Sequence, residues 1–385
     1  MQSFDTVLKH GKIVWDPDLL PVSVYEERMA RVRKEMGERN IDALLIYGDV
    51  RNHGSLTWLS NYLPRVRDGL LIIEREDTGK GVLFANVSSR DILFARSISY
   101  TDDVRSFDKL IPEASEYLQA LRQKNTRFGF VGVTDMPLEL WERLFPNPSL
   151  EPGYTDVSPW FDALRFHKSY NEKILMRKSA EIASGAIQFL VEADFGLTEK
   201  SEVEESEIAA KIEYFCRRQG AEDVRVLISS RNGVNPCFTR GSRSVRKDET
   251  VAVYLALQFH RYWAEIGRTL KFTGRKMEVV ESDAERAVHK IIEEFQGLKN
   301  VNQLAAANEG WKQGNPLQGG ASIYPICEGI GIDPSESIPS YADQMRLEGS
   351  TLVIRWGHGA AQGMQFYAET VELNSDGIAV LTQNR

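Results

Sequence analysis

At 385 residues the chain is longer than one hydrophobic core sustains, so two domains are expected. Its 42% hydrophobic and 26% charged residues describe an ordinary globular protein. A formal charge of −8 gives no electrostatic footprint for nucleic acid or anionic membrane, whose binders concentrate positive charge. Cys216, Cys237 and Cys327 are too few and too scattered for a disulfide framework or a zinc cluster. No run of about 18 apolar residues offers a membrane-spanning helix. The charged opening MQSFDTVLKHGKIVWDPD, broken by Pro17, lacks the apolar core of a signal peptide. A soluble, cytoplasmic protein with reduced thiols is the expectation.

In chain order, Met29, Val32 and Met36 mark an amphipathic helix over Val24 to Asn40. IDALLIYGD then predicts a buried strand. GLLIIERE (Gly69–Glu76) and GKGVLFAN (Gly79–Asn86) predict two more, joined at Asp77-Thr78-Gly79. A helix near Ala114–Lys124 and the strand FGFVGV complete an alternating pattern, hence a mixed, covered sheet. The pattern breaks near Asp156–Trp160 (DVSPW). Helices follow over Asn171–Asp194 and Glu202–Arg218, the second with Thr198 or Ser201 as its cap. VRVLISS, ETVAVYLALQF and RYWAEIGRTLKFTG predict strands, the last two meeting in a hairpin at Gln258-Phe259-His260-Arg261. A helix over Val279–Phe295, an irregular Gly/Asn-rich stretch over Asn300–Gly320 and the strands STLVIRW and AETVELNS close the chain. The order suggests two related α/β halves in the second domain.

Several of these segments resemble one family. FDALRFHKSYNEKILMRKSAEIASGAI (Phe161–Ile187) is similar to the linker and first helix of the catalytic domain of prolidases, aminopeptidases P and creatinase. YEERMARVRKEMGERNIDALLIYG resembles the start of their first domain. WAEIGRTLKF (Trp263–Phe272) resembles their second active-site strand, CEGIGID (Cys327–Asp333) their Gly-His-Gly-Ile-Gly segment, and LNSDGIAVLT (Leu373–Thr382) their closing strand and turn. The resemblance implies an α/β (α+β) protein: a creatinase-like mixed α/β domain over residues 1–160, then a pita-bread domain over 161–385 with pseudo-twofold α/β halves.

The metallopeptidases of this family hold two divalent ions with two Asp, one His and two Glu, a donor set suited to hard or borderline ions. The resemblance places Tyr254 and Glu265 at the Asp positions, Glu328 at the His position and Arg355 at the first Glu. Ala368 or Glu369 falls at the last. A permanent guanidinium charge among metal ligands is electrostatically wrong for metal, so no metal and no cofactor are expected. Creatinase, a metal-free member, implies a metal-independent hydrolase, but Val234 in NGVNP stands where its His base would be.

The expected function is therefore C–N bond hydrolysis of a small carboxylate-bearing substrate: a guanidino, ureido, amidino or acylamino acid. Glu328 and Glu265, with one pKa raised, would assist the attacking water. Tyr254 would donate to an oxyanion, and His358, in a loop, would be a substitute base. Arg355, Arg67, Glu369 and His53 would bind substrate, Arg67 across a homodimer. Competing expectations are an inactive binding module, a lyase or C–C hydrolase on the same pocket, and a mononuclear metal site of Glu265, Glu328 and Glu369. Glu265 with Arg355 also suits a buried structural ion pair. Cys237 and Cys327 read as packing residues rather than nucleophiles.

Overall fold

The computed structural model describes residues 15–106, 111–124, 126–145, 154–196, 201–230, 243–314, 327–339, 345–360 and 363–383. The chain divides into two compact units, Met1–Arg165 and Phe166–Arg385. Among the described residues no helix is long and apolar enough to cross a membrane.

In the first unit the periodic Met29, Val32 and Met36 are buried on one stripe of α1, Val22–Glu38. It leads into β1 (Ala43–Gly48), whose side chains are buried on both faces, the pattern of a strand covered from two sides. Next come α2 (Gly54–Ser60), β2 (Gly69–Glu74), β3 (Val82–Ala85), α3 (Ile92–Ile98) and β4 (Asp103–Ser106). The unit continues with α4 (Ile111–Arg122), β5 (Phe128–Val131), α5 (Leu138–Leu144), β6 (Tyr154–Asp156) and α6 (Ser158–Phe166). The six strands form one sheet in the order β4-β3-β2-β1-β5-β6. It is mixed, as expected: β2 runs antiparallel to β1 and β3, while β5 is parallel to β1 and β6, and β4 is parallel to β3. Leu45, Leu70, Ile72 and Phe84 pack with Leu118, Leu121, Leu140 and Leu144 of α4 and α5 on one face.

The second unit opens with α7 (Tyr170–Glu192), which is closed at its start by a reciprocal capping box. The Ser169 Oγ accepts from the Glu172 amide, and Glu172 Oε2 accepts from the Ser169 amide at 2.8 Å. Then follow β7 (Glu202–Glu204), α8 (Glu205–Arg218), β8 (Asp223–Ser229), β9 (Ser244–Arg246), β10 (Thr250–Phe259), β11 (Tyr262–Phe272) and β12 (Met277–Val279). The unit ends with α9 (Asp283–Phe295), α10 (Val301–Gly314), β13 (Cys327–Gly329), β14 (Thr351–Ala360), β15 (Gly363–Asn374) and β16 (Gly377–Val380). The main sheet runs β13-β14-β15-β11-β10-β8, with β12 on β11 and β16 on β15.

Helices cover one face of this sheet. Ile182, Ala186 and Leu190 of α7 and Ile208 and Ile212 of α8 pack on Val251, Val253, Leu255 and Ile266. Val288 and Ile291 of α9 and Val301 and Leu304 of α10 pack on Leu352, Ile354 and Val371. The opposite face carries a smaller cluster of Ala252, Met364, Phe366 and Ala368 with Tyr254 against it.

Four local expectations are corrected. The stretch expected to be irregular after Asn300 is helical through Gly314, because Val301 and Leu304 bury at helical spacing and Asn300 Oδ1 caps the Gln303 amide at 3.0 Å. The helix expected from Glu202 starts at Glu205, since Glu202–Glu204 pairs with Ser244–Arg246 as a strand. Its first residue follows Glu204, which makes no side-chain cap, and Thr198 lies outside the described residues. The helix expected from Val279 starts at Asp283 under a Ser282 cap, while Val279 pairs with Leu270. The hairpin tip is as read: His260 and Arg261 have φ of 45° and 76°, the left-handed pair that a type I′ two-residue turn requires.

Candidate functional site

Residues paired directly across a sheet point to the same side, and side chains alternate along each strand. In the hairpin, Tyr254 pairs with Gly267 and Ala256 with Glu265. Gly267 also pairs with Ala368 of β15, and Ala368 pairs with Arg355 of β14. Glu328 pairs with Val353, two residues before Arg355. Alternation therefore aims Tyr254, Glu265, Glu328, Arg355 and Ala368 at one face, opposite the face on which the apolar residues of α7 to α10 pack. Four side chains expected to converge do so.

Their centre is the Arg355 guanidinium, buried at 5% exposure. Its Nε donates to Glu265 Oε2 at 2.7 Å and its Nη2 lies 2.6 Å from the same oxygen. Nη1 donates to Glu328 Oε1, and the Ser335 hydroxyl donates to the other oxygen of Glu328 at 2.8 Å. The Tyr254 hydroxyl is hydrogen-bonded to Glu265. Glu265 is further fixed through its backbone, whose amide donates to Thr370 Oγ1 and whose carbonyl accepts from the same hydroxyl, both at 2.9 Å.

Electrostatics follow from burial and from this one cation between two carboxylates. Burial raises the Glu265 carboxyl above the ordinary carboxylate range, against the pull of Arg355. The glutamates and Tyr254 outweigh burial at Arg355 and raise its pKa, so it stays charged. Burial, and then the charge of Glu265, push Tyr254 well above the usual phenol range, so it acts as a donor. Glu265 is 1% exposed along its side chain and Glu328 15%, which makes Glu328 the carboxylate with an accessible edge.

Glu369 goes elsewhere. It pairs across β14 with Ile354, on the helix-covered face, and its Oε1 accepts from Arg268 Nη2 and from the Tyr367 hydroxyl, both at 2.8 Å. Its Oε2 accepts from Thr382. The open choice between Ala368 and Glu369 is thus decided by register: Ala368 occupies the site face. Glu369 is removed from the expected substrate-binding set, and a mononuclear site of Glu265, Glu328 and Glu369 is corrected with it.

The ligand positions implied by the resemblance hold Tyr254, Glu265, Glu328, Arg355 and Ala368, and both carboxylates are committed to a guanidinium. Among the described residues no group of three or more His, Cys, Asp or Glu could hold a metal ion. This donor set does not fit two divalent cations.

His358 is in β14, opposite Gln365, rather than in the expected loop, and its side chain is not among the described residues. Val234 and Cys237 lie outside the described residues. Cys327 is buried, and burial pushes its thiol upward, as suits a packing residue. In the first unit His53 is buried ahead of α2 with Nδ1 3.3 Å from Thr57 Oγ1. Arg67 there is exposed, with Nη1 donating to Asn86 at 3.2 Å. Ser335 and Thr370 were missed. Ser335 and Thr370 join the cluster through turns and register that no local pattern announces.

Two family models match in order. Residues 28–167 match the creatinase/prolidase N-terminal domain, and residues 174–354 match metallopeptidase family M24. The chain belongs to the creatinase/prolidase family. An uncharacterized peptidase of Staphylococcus aureus (strain bovine RF122) is 24% identical over 296 residues, covering 72% of this chain and 77% of the relative. The prolidase of Pyrococcus horikoshii OT3 superposes with a TM-score of 0.70 at 20% identity, over 93% of this chain and 99% of that one. The Xaa-Pro dipeptidase of Bacillus anthracis does so with a TM-score of 0.68 at 18% identity, over 94% and 98%. This creatinase/prolidase member has the expected architecture, a creatinase-type mixed α/β domain followed by a pita-bread domain. It is an enzyme of the hydrolase class. The expected reaction is corrected: its matching catalytic model is that of peptidases and its relatives are named as peptidases, which points to the peptide bond and away from a guanidino-type substrate.

Proposed function

We propose that this protein hydrolyses the peptide bond of short peptides. The match of the metallopeptidase family M24 model over residues 174–354, the stretch that builds most of the second sheet, carries this reading. The names of the structural relatives, prolidase and Xaa-Pro dipeptidase, make dipeptides ending in proline the first substrates to try.

The chemistry assigned to each group follows from its surroundings. Glu328 keeps an accessible edge and an orienting hydrogen bond from Ser335, so it is the carboxylate able to take a proton from water or receive a peptide ammonium. Glu265 is enclosed and holds Arg355 in place. Tyr254 remains protonated and is engaged with Glu265. The homodimer expected from the sequence belongs to this proposal too, with light scattering of wild type and Arg67→Ala as its check.

Purified protein is incubated with Xaa-Pro and other dipeptides, with EDTA or with added manganese, and released amino acids are quantified. Release that disappears in Glu328→Gln supports the proposal. No release from any peptide under either condition overturns it, and peptide binding without release would leave recognition as the activity.

A further inference from the structure

We propose that the Arg355 guanidinium is a resident cation standing in for metal ions, so that this face takes up a divalent cation only when Arg355 is removed. The face retains a pair of carboxylates, Glu265 and Glu328, at two of the ligand positions. A buried carboxylate pair needs a compensating positive charge, and the chain supplies it from its own strand. Nε and Nη2 of Arg355 close on a single oxygen of Glu265 at 2.7 and 2.6 Å, while Nη1 reaches Glu328.

The buried ion pair of Arg268 differs in form. Arg268 with Glu369 matches one cation to one carboxylate. At Arg355 one cation joins two carboxylates, and one of these, Glu328, keeps an accessible edge. A divalent ion approaching that edge meets a fixed like charge already paired with Glu265 and Glu328. Deleting the guanidinium leaves the same two carboxylates beside Tyr254, lined by the small Ala368, with the charge requirement unmet. That is a site asking for a cation.

The full chain, stripped with EDTA and dialysed against manganese, cobalt or zinc, is analysed for retained metal and for metal-dependent melting. Wild type is expected to retain no stoichiometric metal at this face and to melt at the same temperature with or without it. Arg355→Ala is expected to retain about one equivalent and to gain several degrees on metal addition at 100 times the dissociation constant. Arg355→Ala/Glu328→Gln is expected to lose both. Arg355→Gln serves if the alanine variant does not fold.

Stoichiometric metal on wild type that is lost in Glu328→Gln overturns the proposal. So does a folded Arg355 variant that takes up no metal. These outcomes separate from the peptidase reading: wild type holding metal and cleaving peptides sinks only this inference, whereas wild type with neither metal nor cleavage sinks only the other.

Discussion

The ion pair between Arg268 and Glu369 is the sharpest test of the second unit's structure. Arg268 Nη2 donates to Glu369 Oε1 and to the Thr382 carbonyl at 2.8 Å, and Nη1 donates to the carbonyls of Gly267 and Ala368 at 2.8 and 3.1 Å. The guanidinium also lies 4.3 Å from the centre of the Tyr367 ring. Both charged side chains are almost wholly buried, at 3% and 1% exposure. Arg268→Met keeps the stem's apolar volume but leaves the Glu369 charge and three carbonyl contacts uncompensated. Breaking a buried pair from one side costs about 3–5 kcal/mol. For a unit of this size that is a fall of roughly 10 °C in melting temperature.

The paired replacement Arg268→Met/Glu369→Leu removes both charges and is expected to recover most of the loss, because apolar pairs of similar volume substitute for buried ion pairs at little cost. Differential scanning calorimetry and urea unfolding of the single and double variants measure both quantities. A loss under about 1 kcal/mol for Arg268→Met, the size of an exposed pair, would refute the burial and pairing described here. A double variant as unstable as the single one would refute the attribution to stranded charge.

Gly267 pairs with both Tyr254 and Ala368, and a Cβ there would meet the Phe366 ring at 2.6 Å and the Ala368 amide nitrogen at 2.9 Å. Gly267→Ala should therefore cost about 1–3 kcal/mol in urea unfolding, with partial recovery in Gly267→Ala/Phe366→Leu. Ser169→Ala removes one half of the capping box of α7 and should cost about 1 kcal/mol by the same measurement. Asp42 is held down to about 2 by hydrogen bonds from Arg127, aided by Arg75. A depressed carboxyl stabilises the fold above its unfolded value near 3.9 and loses that contribution as pH falls toward the folded value. The stability gap between wild type and Asp42→Asn should thus be present at pH 6, stay under about 1 kcal/mol because the pair is solvent-screened, and close between about pH 4 and pH 2. A gap that widens on acidification would refute it.

Much of the architecture was legible because hydrophobic period is a local property. Met29, Val32 and Met36 declare a helix, and ALLIYG declares a strand buried on both faces, whatever surrounds them. Family-like segments in the right order carried the domain plan, and the eleven-residue offset between Tyr254 and Glu265 carried their place on paired strands. The α10 helix was not legible, since its Asn and Gly content suggests a loop until Val301 and Leu304 find the core.

The site divides along the same line. The resemblance, read with residue identity, announced a guanidinium among the family's ligand positions. Register, a long-range property, decided that Ala368 and not Glu369 shares its face, because a shift of one residue sends a strand's side chain to the other side of the sheet. Pairing of β11 with β15 and of β15 with β14 brought Arg355 onto Glu265, 90 residues away in sequence, and pairing of β13 with β14 left Glu328 at the accessible edge. Side-chain chemistry is written locally; which charges neutralise one another is settled only when the strands pair.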